Sequence, residues 1–324
     1  MLVDGKWTKD WHPVQAKDAR GGFVRQTSSF RRRVGEPGLE PERGRYRLIV
    51  SLTCPWASRA LIARKLKRLE DAVDVSIVEP ELGPRGWRFA DGRTLADVYV
   101  AADPHYTGRA TVPVLWDEKE RTIVNNESAD IVRIFNASFA GLASNAHELY
   151  PEVLRPQIDA LEEDVYRRLN NGVYRAGFAT TQGAYEDAVQ DVFAMLDALE
   201  DRLGAADYLV GDALTEVDIR VFVTLVRFDL AYHGLFKCNI RRLADYPNLA
   251  AYVRRLLAVP AFREATNEEH IKRGYYSIAA LNPNGIVPMG PVDPFGLAGK
   301  REREEDVVAE RGHTGGRRRG RSRV

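Results

Sequence analysis

Apolar and polar positions change rhythm twice along the chain. The first 44 residues hold no sustained period; Trp7, Trp11 and Phe23 stand as anchors among glycines and arginines. Such a stretch is predicted to lie on the body as an irregular extension. From Tyr46 the pattern turns regular. Tyr46-Arg47-Leu48-Ile49-Val50 is a short apolar run between Gly44 and Thr53, which predicts a buried strand. Pro55 suits the first turn of a helix, where its missing N–H has no intrahelical partner to lose. Ala60, Ala63, Leu66 and Leu69 then carry the helical period to about residue 69. Residues 73–78 alternate as a second strand, and 80–108 mix glycine and proline without a long period, as an insertion does. Residues 111–116 and 121–124 predict two strands joined by a charged hairpin. A helix carrying Ile131, Ile134 and Phe135 follows, capped by Asn126 or Ser128.

After about Leu149 the period is helical throughout. Residues 152–170, 183–203, 216–233 and 247–258 place spaced apolar positions on charged backgrounds. Leu214-Thr215-Glu216-Val217-Asp218-Ile219 is a helix start: Thr215 and Asp218 can form a capping box, and Leu214 can staple to Ile219. This order predicts an α/β domain over 44–145, an all-helical domain over 146–280, an extension over 1–43 and a C-terminal extension over 281–324.

Composition narrows the class. Apolar residues at 44% can build a core, and a net charge of +1 argues against a chain-wide surface for nucleic acid or membrane. No N-terminal run resembles a signal peptide, and none reaches the roughly 18 apolar residues of a spanning helix. The two cysteines, Cys54 and Cys238, form no disulfide framework and suit a reducing compartment, so a cytoplasmic protein is expected. His12, His105, His147, His233, His270 and His313 are scattered without ligand spacing, so no metal is expected. Arg31-Arg32-Arg33 reads as a solvated charge run rather than a phosphate site. Residues 311–324 hold six arginines and no acid, and read as a disordered tail more readily than as a contact for RNA or anionic membrane.

The chemistry points to one residue. Cys54 stands where a strand ends and a helix begins, where free N–H groups and the helix dipole favour a thiolate. Such placement commonly brings a cysteine pKa down to about 3.5–7.5. In Cys54-Pro55-Trp56-Ala57 the place of a second redox cysteine is taken by Ala57, so a disulfide on Cys54 must be resolved by an external thiol. Cys238 lies between helices and reads as a core or surface thiol. Thr111-Val112-Pro113 suits a cis X–Pro bond or an edge position. Asn126-Glu127-Ser128 offers amides and a hydroxyl at a helix start, which serve either a carboxylate or simple capping.

In this order, these motifs resemble the glutathione transferases, and more narrowly their Xi class, the glutathionyl-hydroquinone reductases. The likeness runs over most of residues 1–280. It includes Gly22-Phe23-Val24-Arg25-Gln26, Ser29-Phe30-Arg31, Trp87, Asn170-Asn171-Gly172-Val173-Tyr174 and His270-Ile271-Lys272-Arg273-Gly274-Tyr275-Tyr276. The resemblance implies an α/β thioredoxin-like N-terminal domain, an all-α C-terminal glutathione-transferase domain and a homodimer. It implies glutathione as co-substrate, glutathionylated hydroquinones as substrates, no metal, and neither nucleic acid nor membrane as partner. Cys54 would be catalytic. Trp87, Arg109, Val112, Glu127 and Ser128 would bind glutathione, with Val112 pairing its backbone to the cysteinyl part. Tyr174 and one or both of Tyr275 and Tyr276 would line the acceptor pocket, although spacing alone reads those tyrosines as core. Gly274 departs from the family pattern, which places a larger residue there, often histidine.

Three other readings compete. A general glutathione-dependent thiol transferase or dehydroascorbate reductase would use Cys54 on other mixed disulfides. A conjugating transferase would need serine or tyrosine in its place. A non-catalytic scaffold of the same fold would hold an unreactive Cys54.

Overall fold

The computed structural model describes residues 1–8, 17–145 and 147–296. Trp11, His12, His313 and the arginine-rich segment 311–324 lie outside the described residues. In the first half, β1 (Leu2–Val3) and β2 (Lys6–Trp7) form a small antiparallel pair. Then come β3 (Tyr46–Val50), α1 (Pro55–Leu66), β4 (Val73–Ile77), α2 (Leu95–Ala102), β5 (Val114–Asp117), β6 (Thr122–Asn125) and α3 (Ser128–Arg133).

The sheet order is β4-β3-β5-β6. β3 runs parallel to β4 because α1 carries the chain back across the sheet, whereas β5 and β6 form an antiparallel hairpin. Tyr46, Leu48, Ile49 and Val50 are all buried, as in a strand covered on both faces. This is a thioredoxin-like layer.

Two expectations shift here. The segment 80–108 is not irregular throughout: it contains α2, whose start is a capping box of Thr94 and Asp97. Its eight residues are apolar almost all round, so no amphipathic period marks them. The first helix ends at Leu66, not near residue 69, because Arg68 turns the chain with φ 52° and Leu69 packs into the core beyond it.

The second half is helical: α4 (Arg155–Asp164), α5 (Gly172–Gly177), α6 (Gln182–Leu203), α7 (Glu216–Arg227), α8 (Pro247–Leu257), α9 (Pro260–Glu264) and α10 (Glu268–Tyr276). The helix expected over 152–170 is a 3-10 turn, α4 and a π-helical turn, Val165–Asn170. A second π turn, Phe228–Tyr232, follows α7. Asp218 closes the expected capping box, accepting from the Thr215 amide at 2.8 Å. Every residue of α7 is buried, and the helix packs against α1. α10 begins where the Asn267 side chain accepts from the His270 amide.

The extension is strapped across the α/β layer. Leu2 exchanges backbone hydrogen bonds with Gly108, both 3.0 Å, and the Phe30 carbonyl accepts from the Asn126 amide at 3.1 Å. Arg31 and Arg33 pair with Asp130 of α3 at 2.5 and 3.4 Å, and Arg32 with Glu36 at 3.5 Å. The arginine run is therefore paired, not merely solvated, because the extension brings it beside an acid 97 to 99 residues away in sequence. Among the described residues, no helix is long and apolar enough to cross a membrane.

Candidate active site

Cys54 is the residue before α1, with extended backbone (φ −83°, ψ 119°), at the end of the helix where the first N–H groups are free, and its sulfur makes no capping hydrogen bond. The amides of Ala57 and Trp56 favour its charged form. The peptide leading into it is held from the helical half. Thr53 Oγ1 lies 2.8 Å from the His270 carbonyl and 3.2 Å from that of Pro80. Arg227, buried at the end of α7, donates to the carbonyls of Leu52 and Thr53, both at 2.9 Å, and to Ser58 Oγ at 2.8 Å.

In the free cleft the thiol is neutral. Its Sγ donates to the Val112 carbonyl at 3.7 Å, beside the cis Val112–Pro113 bond. Burial pushes the Cys54 pKa up, against the pull of the Ala57 amide, Arg227, the Trp56 amide and Arg25. This corrects the expectation of a lowered value: the helix start is as foreseen, but desolvation by the surrounding walls outweighs it. The thiolate is the form that alkylates, so reactivity rises as the thiol deprotonates. The iodoacetamide rate at Cys54 should therefore still be climbing above pH 9 in the free protein. A plateau reached by pH 7, read by peptide mass spectrometry, would contradict this account.

A cavity of about 350 Å³ opens beside the sulfur. Its lining includes Trp87, Arg109, Val112, Glu127 and Ser128 together with Tyr174 and Tyr275. Tyr276 is not in that lining; its hydroxyl turns toward Gly234. Consecutive helix residues project about 100° apart, so α10 can present only one of the two phenols to the cleft.

On one wall, Glu127 rather than Asn126 or Ser128 caps α3, its carboxylate accepting from the Ala129 amide at 3.2 Å. Asn126 is unavailable as a cap: its side chain donates to the Tyr99 hydroxyl and accepts from the Phe30 amide. Ser28 of the extension donates to the other Glu127 oxygen at 3.0 Å. Arg109 is packed in by protein and pushed down to about 10, first by burial and then by the charge of Arg25, which leaves it protonated at neutral pH.

On the opposite wall the three hydroxyls of Tyr174, Tyr275 and Tyr232 form a chain, with O···O distances of 2.6 Å and 2.7 Å. Burial raises all three pKa values, so each phenol is a hydrogen donor at neutral pH. Tyr232 was not singled out by sequence; it ends a buried apolar run in the π turn after α7, where nothing distinguishes it from core. Cys238 is fully buried, outside the cleft lining, with its thiol pushed up to about 12.

Gly274 is required by space. A Cβ there would fall 2.2 Å from Thr53 Oγ1 and 2.6 Å from the Pro80 carbonyl. The helix bearing Tyr275 thus sits directly on the residue before Cys54, and the larger residue of the family pattern has no room.

The description "Glutathione S-transferase, N-terminal domain" matches residues 53–138, and "Glutathione S-transferase, C-terminal domain" matches 182–255. Glutathionyl-hydroquinone reductase PcpF of Sphingobium chlorophenolicum is 47% identical over 307 residues, covering 91% of this chain and 97% of the relative. Glutathionyl-hydroquinone reductase YqjG of Escherichia coli is 46% identical, covering 90% and 95%. The crystal structure of glutathione-S-transferase Xi from Phanerochaete chrysosporium matches with a TM-score of 0.84 at 47% identity, over 86% of this chain and 95% of that one. The chain belongs to the Xi class of glutathione transferases. A glutathione-bound structure of Escherichia coli YqjG also aligns with this Xi-class transferase, with a TM-score of 0.79 at 44% identity over 91% and 96% of the two chains. Among the described residues of the Xi-class protein, no group of three or more His, Cys, Asp or Glu side chains is placed to hold a metal ion.

Proposed function

We propose that this protein is a glutathionyl-hydroquinone reductase that works through a Cys54–glutathione mixed disulfide. Glutathione is its co-substrate, and it is an enzyme of the cysteine type in its superfamily. The observation that carries the reading is a single thiol at a helix start, facing a wall of phenol hydroxyls across one cleft.

Glutathione lies along the first wall. Trp87 packs on it, Arg109 binds nearby, and Glu127 with Ser128 holds the γ-glutamyl end at the start of α3. The Val112 carbonyl, which holds the thiol hydrogen in the free protein, accepts from the cysteinyl N–H of glutathione instead. In the first half-reaction Cys54 first gives up its proton to solvent, and the thiolate attacks the glutathione sulfur of the conjugate. The sulfur-bearing ring carbon has by then taken a proton while the neighbouring phenol lost one, so as the sulfur–sulfur bond forms and the sulfur–carbon bond breaks, the electron pair passes into the resulting carbonyl. Tyr174, backed by Tyr275, donates to the phenolic oxygen as charge develops. In the second, free glutathione attacks the mixed disulfide, releasing oxidised glutathione and restoring the thiolate. Ala57 stands where a resolving thiol would be, which is why the second glutathione is needed. The protein is read as a cytoplasmic homodimer.

Initial rates measured against both substrates should give parallel double-reciprocal lines with the glutathione conjugate of menadiol. Intersecting lines would remove the two-step scheme. A wild type inert toward the conjugate yet active on 2-hydroxyethyl disulfide would be a general thiol transferase instead.

A further inference from the structure

Arg25 reaches the cleft from the extension and has no place in the scheme above. Its guanidinium lies 4.6 Å from the ring centre of Trp56 and 4.7 Å from that of Tyr174. Its Nε donates to Asn171 Oδ1 at 2.9 Å, so the aim of the group is fixed from two sides. Yet Nη2 is shielded from solvent and has no hydrogen-bond partner. An arginine nitrogen left so is costly unless a ligand supplies an acceptor.

The surroundings say what kind of ligand. Phe23, Tyr174 and Phe178 bring their rings together beside Arg25, with centroids 5.7 to 6.5 Å apart. Packed on one another, these rings line the cleft with Arg25 as an apolar wall for a planar ring, with a cation at its edge. Breaking the sulfur–carbon bond of an aromatic conjugate directly would strand the electron pair in a ring orbital that cannot reach oxygen. Protonation of the sulfur-bearing carbon, with loss of the neighbouring phenol proton, makes a carbonyl beside that carbon. The thiolate then forms the sulfur–sulfur bond while the sulfur–carbon pair flows into the carbonyl. Hydroquinone leaves as its monoanion and regains one proton. The negative charge is thus born on an oxygen at the rim of the ring laid against that wall.

We propose that Arg25 Nη2 is a second donor to this oxyanion, charged where Tyr174 is neutral, which makes Arg25 a catalytic residue contributed by the N-terminal extension. The assignment rests on the hydroquinone reading given above. A guanidinium stays charged at every working pH and suits an oxyanion better than a neutral phenol does. It fits ring substrates with an oxygen next to the carbon–sulfur bond, and gives an aliphatic mixed disulfide little advantage.

The experiment measures glutathione release from the menadiol conjugate and glutathione-dependent reduction of 2-hydroxyethyl disulfide, in wild type, Arg25→Gln and Arg25→Lys. Arg25→Gln should lower kcat/KM on the conjugate about 100-fold. The disulfide activity should fall only about threefold, the share owed to the Arg25 charge near Cys54. Arg25→Lys keeps the charge without the fixed fork and should lose about tenfold on the conjugate alone. Equal losses on both substrates would assign Arg25 to the thiolate or to folding and overturn the proposal, as would full activity on the conjugate. A melting curve shows whether Arg25→Gln folds; where it does not, the lysine variant decides by the same comparison. An inactive wild type defeats the functional reading itself, whereas an active wild type with an indifferent variant defeats only the role of Arg25.

Discussion

Replacing Cys54 with alanine should lower glutathione release from the menadiol conjugate about a thousandfold or more, and remove the covalent adduct seen by intact mass. The size follows from the site. Ala57 occupies the one position of the motif where a second thiol could act, and Cys238 lies buried outside the cleft. The phenol wall would survive the change, since Tyr174 and Tyr275 depend on one another and on Tyr232, not on the sulfur. A bound conjugate would therefore be oriented but not attacked, with substrate binding kept and kcat lost. A variant holding more than a tenth of wild-type activity, or an adduct that maps to Cys238, would refute the assignment.

Arg227→Leu should cost about 3–5 kcal/mol of stability, measured by urea unfolding. Arg227 is wholly buried and satisfies the carbonyls of Leu52, Thr53 and Val223 and the hydroxyl of Ser58. Leucine fills part of the volume but leaves those acceptors facing an apolar group. The carbonyls of Leu52 and Thr53 lie directly before Cys54, so residual folded protein should also react more slowly with iodoacetamide. Arg227 is in addition one of the charges that favour the Cys54 thiolate. A loss under 1 kcal/mol would mean that water or a shifted backbone replaces the guanidinium.

What sequence could show followed from how local each signal is. The strand before Cys54, the proline that opens α1 and the Thr215–Asp218 box are decided within a few residues, and each could be read directly. α2 escaped because a short helix apolar nearly all round has no polar face to set a period. The thiol's raised pKa escaped because desolvation is supplied by walls distant in sequence. Tyr232 and Arg25 are cases of the same kind. Their chemistry depends on the partner that folding brings to them, Tyr275 for one and Asn171 with two aromatic rings for the other. Choosing between Tyr275 and Tyr276 needed only the helix phase of α10, which is set by the contact of Gly274 with Thr53.

The cleft draws its two walls from different parts of the chain. Cys54, Trp87, Arg109, Val112, Glu127 and Ser128 all fall within residues 53–138, the stretch common to N-terminal domains across the superfamily. Phe23, Arg25, Tyr174 and Tyr275 all fall outside both matched stretches, in the extension, the connecting segment and the last helix. Selection can therefore rewrite the wall proposed to meet the acceptor while the thiol and its peptide cradle stay constant. Lineages of this architecture are free to diverge in substrate by drift in these flanking segments, and a protein trimmed to its recognisable domains would lose that wall first.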